Sequence, residues 1–197
     1  MKATEILMDE HRVIEQVLNC LEKLADRCEA GEKLDGRSAL EALEFFRNFA
    51  DRCHHGKEEG HLFPLLEARG FARQHGPTGA MRREHEDGRR LLAAMGRAVE
   101  QDAPRDFVRH ARTYVDLLRE HIRKEDHCLF PMAAAVLSSA DAGALARRFE
   151  HLEVAEMGEG THDHYLQLAN DLADRLAVNR ARVAAVCGHT CSHHRRA

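Results

Sequence analysis

The sequence predicts an all-α protein: an up-down-up-down bundle of four long helices with an additional C-terminal helix. Three observations carry this expectation. Ala, Leu, Glu and Arg are abundant, 31% of the 197 residues are charged, and there are only four Pro and no Trp, a composition that favours helices. No stretch alternates apolar and polar residues as a half-buried strand does. Gly, Pro, Ser and Asp gather at short breaks, around 31–36, 70–78, 102–104 and 138–143, the punctuation expected between helices.

The breaks leave five segments, at about 3–30, 37–69, 78–101, 105–137 and 142–178. In the first, Leu7, His11, Ile14, Leu18, Leu21, Ala25 and Cys28 fall on one seam in steps of three and four. The second clusters Leu40, Leu43, Phe46, Phe49, Ala50 and Cys53 on one side. Its adjacent His54 and His55 cannot both face inward on an α-helix. At 100° per residue His54 lies roughly 70° from the centre of that cluster and His55 roughly 170° away. His54 is therefore expected to point in with Glu58 as its i+4 neighbour, while His55 and Glu59 pair outside. The third segment offers Met81, His85, Leu92, Met95 and Val99, and the fourth Phe107, Ala111, Tyr114, Leu118, His121, Glu125, Cys128 and Met132. Four such helices with short loops close a bundle. The expected organisation is the bundle over 1–138, an additional helix over 139–180 packed on it, and a polar Cys- and His-containing tail over 181–197.

The formal charge of −4 is too balanced for a dedicated nucleic-acid binder. No apolar stretch approaches the roughly 18 residues needed to cross a membrane, and the acidic start MKATEILMDEHR does not read as a secretion signal. A cytoplasmic protein is expected, with its six Cys as free thiols. Fifteen His are out of line with the rest of the composition. Each lone His on an apolar seam can be a satisfied core residue, but three His and a Glu on converging seams would be costly to bury without partners.

Two stretches share one pattern. His54-His-Gly-Lys-Glu58-Glu-Gly-His-Leu-Phe63-Pro64 and His121-Ile-Arg-Lys-Glu125-Asp-His-Cys-Leu-Phe130-Pro131 both read H-x-x-x-E-x-x-x-L-F-P. Each is partnered by a lone His on a preceding helix, His11 or His85. This internal duplication of a helical hairpin predicts a pseudo-twofold site in the bundle centre. Residues i and i+4 stack one turn apart, about 5–6 Å between Cβ atoms, so a His and a carboxylate so spaced can share a metal ion. Four imidazoles and two carboxylates suit a pair of first-row ions, iron foremost, with manganese or zinc as alternatives.

Over residues 5–137 the sequence resembles the hemerythrin-like, HHE cation-binding proteins, and CHHGKEEGHLFP and HIRKEDHCLFPMA are characteristic of bacterial members. The resemblance implies a four-helix bundle holding an oxo- or hydroxo-bridged non-haem diiron centre. Its ligands would be His11, His54, Glu58, His85, His121 and Glu125. Two departures stand out. Oxygen-carrying members bring five His, the third helix supplying two at i and i+4, but Arg89 stands four residues after His85 and cannot ligate. The sequence is also similar to the family that repairs iron–sulfur centres, without that family's Cys-bearing N-terminal extension. Neither pure oxygen carriage nor such repair is the first expectation.

His61, His162 and Tyr114 remain open as extra ligands or as neighbours of the site. Cys187, His189, Cys191, His193 and His194 in the tail are a further soft-metal candidate, with an unstructured terminus as the alternative reading. The function expected is reaction with, or binding of, peroxide, nitric oxide or dioxygen in oxidative or nitrosative stress defence, with an electron donor as a partner. Reversible binding, sensing and iron storage are the alternatives; the oligomeric state is not legible. Four His and two bridging Glu would leave one open position on each of two six-coordinate irons, which favours turnover of peroxide or nitric oxide over dioxygen storage.

Overall fold

The computed structural model describes residues 3–158 and 160–182. The tail call at Cys187–His194 lies outside the described residues. Six helices form, with no strand among the described residues. Helix α1 is Ala3–Glu29. Helix α2, residues 36–68, runs continuously through Gly36–Phe45, π-helical turns at Phe46–His55 and Glu58–Leu62, and Phe63–Ala68. Helix α3 is Pro77–Glu100. Helix α4, residues 104–136, passes from Pro104–Lys124 through a π turn at Glu125–Leu129 into Phe130–Val136. These four make the bundle. Helix α5, residues 139–157, and helix α6, Thr161–Leu176, follow it.

Local chemistry starts and stops these elements. Asp35 accepts a hydrogen bond from the Ser38 backbone N–H at 3.1 Å, Ser138 and Asp141 form a reciprocal capping box, and Pro77 and Pro104 occupy first-turn positions where a missing N–H costs nothing. The fifth sequence segment, read as one helix, is two. Gly158 and Gly160 adopt φ of 84° and 78°, a left-handed backbone that ends a helix and that side chains disfavour.

The π turns correct the expected inward faces. Each i→i+5 turn carries more residues than an α turn, so the face after it shifts along the chain. In α4 the shift brings Leu129, Phe130 and Ala133 into the core and turns Cys128 and Met132, both expected inside, to solvent. In α2 the adjacent pairs Phe45–Phe46, Phe49–Ala50 and Cys53–His54 are all buried, while Leu40 is 49% exposed.

Two apolar clusters make the core. One gathers Ile14, Leu18, Phe45, Phe46, Phe49, Leu92, Met95, Phe107 and Tyr114. The other gathers Leu7, Leu62, Phe63, Leu66, Met81, Phe130, Leu145 and Phe149. On α1 His11 lies between Leu7 of one and Ile14 of the other, and on α3 His85 lies between Met81 and Leu92. A buried polar layer thus divides the core. Helix α6 buries Tyr165, Ala169, Leu172 and Leu176 in the first cluster, and α5 buries Leu145 and Phe149 in the second. Gln16 on α1 donates to the Ala169 carbonyl at 2.8 Å. Among the described residues, no helix is long and apolar enough to cross a membrane.

Candidate metal centre

All six residues singled out by the duplicated motif meet in the polar layer, each buried. They fall into two groups. His11, His54, Glu58 and Glu125 bring donor atoms within 4.8 Å of one another, and His55, Glu58, His85 and His121 do the same. Glu58 is common to both. Its Oε2 is 3.4 Å from His85 Nε2 and its Oε1 is 3.9 Å from His54 Nε2. Glu125 Oε2 lies 3.3 Å from both His11 Nε2 and His121 Nε2. Each glutamate therefore reaches one imidazole of each group.

His55 corrects the sequence reading. It is 5% exposed, stacks on the His85 ring at 3.7 Å between centroids, and belongs to the second group. An angle reckoned at 100° per residue does not hold along the ten-residue π stretch Phe46–His55, and the buried layer is wide enough to take adjacent residues, His54 and His55 here and His121 and Ile122 on α4. His55 and Glu59 do not pair. His55 Nδ1 bonds Asp51 at 3.2 Å, and Glu59 bonds His85.

Every one of the five imidazoles is fixed by a carboxylate at Nδ1: His11 by Asp126 at 2.7 Å, His54 by Glu10 at 2.8 Å, His55 by Asp51, His85 by Glu59 at 2.7 Å and His121 by Glu84 at 3.0 Å. A carboxylate can only accept, so each Nδ1 carries a proton and each Nε2 is the nitrogen turned towards the centre of the layer. Each acid in turn holds a cation: Asp126 the Arg12 guanidinium, Glu10 the Lys57 ammonium and Glu84 the Lys124 ammonium. Arg89 serves two, reaching Asp51 at 2.9 Å and Glu59 at 2.8 Å. The position that cannot ligate thus secures the acids behind His55 and His85. The motif's Phe residues also find their places. Phe130 stacks on His11 at 5.6 Å and Phe63 on His85 at 5.9 Å, each closing off the other half's lone histidine.

The donor set fits a cation. His11 Nε2 faces His54 Nε2 at 3.0 Å and His85 Nε2 faces His121 Nε2 at 3.1 Å. Nδ1 of each ring is already a donor, so each contact needs a positive charge, either a proton on one ring, as the raised His11 and His121 would carry, or a metal ion in its place. All four carboxylate oxygens of Glu58 and Glu125 are buried without a hydrogen-bond partner, close though Glu125 lies to two imidazoles. Orphaned buried acceptors are rare and costly. Burial pushes the Glu58 carboxyl well above its ordinary range, and the Glu125 charge adds to the push. Burial acts on Glu125 in the same sense, but the His121 and His11 imidazoles outweigh it and hold that carboxyl low. Burial lowers His54 to about 4 and lowers His55 and His85 too, keeping them in the neutral form that binds metal.

The remaining candidates lie elsewhere. His61 stands beside Phe149 at 6.4 Å, outside both groups. His162 joins Glu10 and Glu153 in a separate cluster. Tyr114 is buried, packs its ring edge to Phe46 at 5.0 Å, and lines a cavity of about 10 Å³ with His55, His85 and Gly88, room for about one water.

The sequence matches the hemerythrin HHE cation-binding domain over residues 2–133 and again over 90–194. The chain belongs to the hemerythrin HHE family. It is 28% identical over 182 residues to the uncharacterized protein Rv1995 of Mycobacterium tuberculosis, covering 89% of this chain and 71% of that protein. The same figures hold for the uncharacterized protein Mb2018 of Mycobacterium bovis. The iron-sulfur cluster repair protein YtfE of Edwardsiella ictaluri is 32% identical over 105 residues, 49% of this chain and 47% of that protein. No solved structure matches. In this HHE domain the acids behind the imidazoles escaped sequence reading, although a signal was there. Glu10-His11 and Glu84-His85 repeat in register, as do Lys57-Glu58-Glu59 and Lys124-Glu125-Asp126.

Proposed function

We propose that this HHE domain holds two non-haem iron ions between its half-repeats and captures one small oxidant, dioxygen, nitric oxide or peroxide, in oxidative or nitrosative stress defence. The observation that carries the reading is the convergence of five acid-anchored imidazoles on two carboxylates whose four oxygens have no other partner. His55, His85 and His121 would serve one ion, His11 and His54 the other, with Glu58 and Glu125 reaching both. An iron pair supplies an electrophilic centre able to exchange electrons with such ligands.

The fifth imidazole changes the expectation drawn from four. Five imidazoles and two shared carboxylates would leave an ion pair less room for outside ligands than four imidazoles would. With three imidazoles in one group and two in the other, the group of His11 and His54 would be the one with room for a ligand. A single open end favours reversible capture of one ligand over two-ended turnover of peroxide or nitric oxide. The protein supports this by fixing its imidazoles from behind, so that little reorganises when a ligand arrives. Phe63 and Phe130 keep water from the two lone histidines.

Metal analysis after anaerobic iron loading should give two ions per chain. The reduced, loaded protein is then mixed separately with dioxygen, nitric oxide and hydrogen peroxide while its optical spectrum is recorded. One ligand per ion pair, released on purging and rebound over repeated cycles, is the expected result. Catalytic loss of peroxide or nitric oxide without a bound, releasable state overturns the capture reading, and one ion or none overturns the ion pair itself.

A further inference from the structure

The duplicated hairpins are not treated alike by the rest of the chain. Lys124 of the second half holds Glu84 alone, and its side chain is 32% exposed. Lys57 of the first half is 0% exposed and holds two carboxylates, Glu10 of α1 and Glu153 of α5. Its ammonium also lies 5.9 Å from the centre of the Phe149 ring of α5. The close approach continues alongside: Leu152 Cδ2 is 4.0 Å from where a side chain on Gly56 would begin. From α6, His162 reaches the same Glu10–Glu153 cluster and packs its ring 5.4 Å from Phe49. The two glycines with positive φ separate α5 from α6 at this point.

We infer that helices α5 and α6 act as a latch on one of the two metal positions, through the relay Glu153–Lys57–Glu10–His54. Sealed from water beneath α5, Lys57 and Glu10 attract each other far more strongly than they would in solvent, and the contact of Glu153 with the same ammonium ties α5 down over them. With Glu153 in place, Lys57 is held against Glu10, and Glu10 holds His54 by Nδ1 at 2.8 Å. With α5 lifted away, Lys57 loses a partner, opens to water and loosens its grip on Glu10, so His54 is no longer held from behind. The relay ends on the group of His11, His54, Glu58 and Glu125; its approach to the other group is the edge of the His54 ring, 5.7 Å from that of His55 between centroids. Docking of the latch and occupancy of the His11–His54 position therefore favour each other, and by linkage the coupling acts in both directions. Lys57 and Glu153 are positioning residues: neither reaches the metal.

This inference rests on the proposed ion pair, and its test separates the two. The full chain is loaded with zinc, which has no redox chemistry, and release to a chromophoric chelator is followed in time. Glu153→Gln keeps the size of the side chain and removes its charge. It should speed release of one zinc equivalent at least tenfold and leave the other within twofold of wild type. Hydrogen exchange supplies a readout that merely looser packing would not mimic. Zinc should slow exchange across residues 139–157 at least threefold in the wild type and not in Glu153→Gln, with α3 unchanged in both. Should the variant fold poorly, Lys57→Met, which fills the site without a charge, is read in the same two assays with the same expectation. Unchanged release of both equivalents, equal acceleration of both, or zinc-induced protection that survives in the variant overturns the latch while leaving the ion pair intact. A wild-type chain that takes up no zinc pair overturns both.

Discussion

Replacing His55 tests the part of the site that the sequence misplaced. On the geometry, His55→Ala removes one of three imidazoles from the group with His85 and His121 and leaves Asp51 still held by Arg89. Loss of an outer partner of a metal ligand lowers affinity about 10–100-fold. Loss of a direct donor should reach at least the upper figure, ~100-fold. At saturating metal this removes about 2.7 kcal/mol of the stabilisation that binding gives the fold. For a chain of this length each kcal/mol moves the melting temperature by about 2–4 °C, so the loaded variant should melt roughly 5–10 °C below the loaded wild type. His55→Ile is the cleaner companion, because the repeat itself places Ile122 there, buried at 3%. Its metal-free form should melt close to the metal-free wild type, which assigns the loss to the metal. Calorimetric melting with and without zinc, together with metal analysis, provides the assay. If His55→Ala binds both ions as tightly as the wild type, His55 is a packing residue and the count of five imidazoles fails.

Four other outcomes follow, two from the site and two from helix packing. Arg89→Met strips the cation from both Asp51 and Glu59; zinc affinity of the group with three imidazoles should fall about tenfold, measured by competition with a chelator, and an unchanged constant would make Arg89 a surface residue only. Metal uptake should release protons at pH 7: burial lowers His121, but the Glu125 charge outweighs it and lifts the imidazole to about 9, and Glu58 is raised as well. These protonated groups compete with metal, so affinity climbs as pH rises towards 9 and falls in acid; calorimetry in buffers of different ionisation enthalpy counts the protons, and uptake without release contradicts the assignment. Gly79→Ala should destabilise by several kcal/mol or prevent folding, since its Cβ would stand 2.4 Å from the Arg73 carbonyl oxygen. Gly96→Ala should fall within about 1 kcal/mol of wild type, because the obstacle there is only the mobile end of Arg47; equal effects in denaturant melts would refute the packing argument.

The fold was legible because the seams of α1 and α3 and the first part of α4 keep a true α-helical period: Leu7, His11, Ile14, Leu18 and Phe107, Ala111, Tyr114, Leu118 are all buried as their spacing demands. The site was legible because duplication put two lone histidines and two H-x-x-x-E pairs in register. What stayed hidden lies after the π turns. A helical wheel assumes one angle per residue, and Phe46–His55 breaks that assumption. The clue was a spacing of four, with adjacent inward pairs at 45–46, 49–50 and 53–54. The motif's Pro64 and Pro131 mark two further π turns, Glu58–Leu62 and Glu125–Leu129, since a residue without an N–H leaves the α ladder already interrupted. The break in the fifth segment was hidden differently. Gly158 and Gly160 stand inside that segment, and only their positive φ shows that they end a helix.

The departures from the repeat are what give this site a direction. Perfect duplication would set two equal ions side by side, each with two imidazoles and one vacancy. At the position matching Ile122, which is buried as well, the first half carries His55, an imidazole where the second half has only an apolar side chain. Where Lys124 meets solvent, Lys57 is sealed beneath α5. Both differences lie in α2, and they act on different groups. His55 completes the group with His85 and His121, while Lys57 supports His54 in the other. On the proposed reading the group with three imidazoles would be the fuller one and the group of His11 and His54 would keep room for a ligand, so an incoming oxidant would have one place to bind. The latch sits behind that same ion. A chain built this way can couple the state of its C-terminal helices to the one position where a small ligand arrives, with no further module needed.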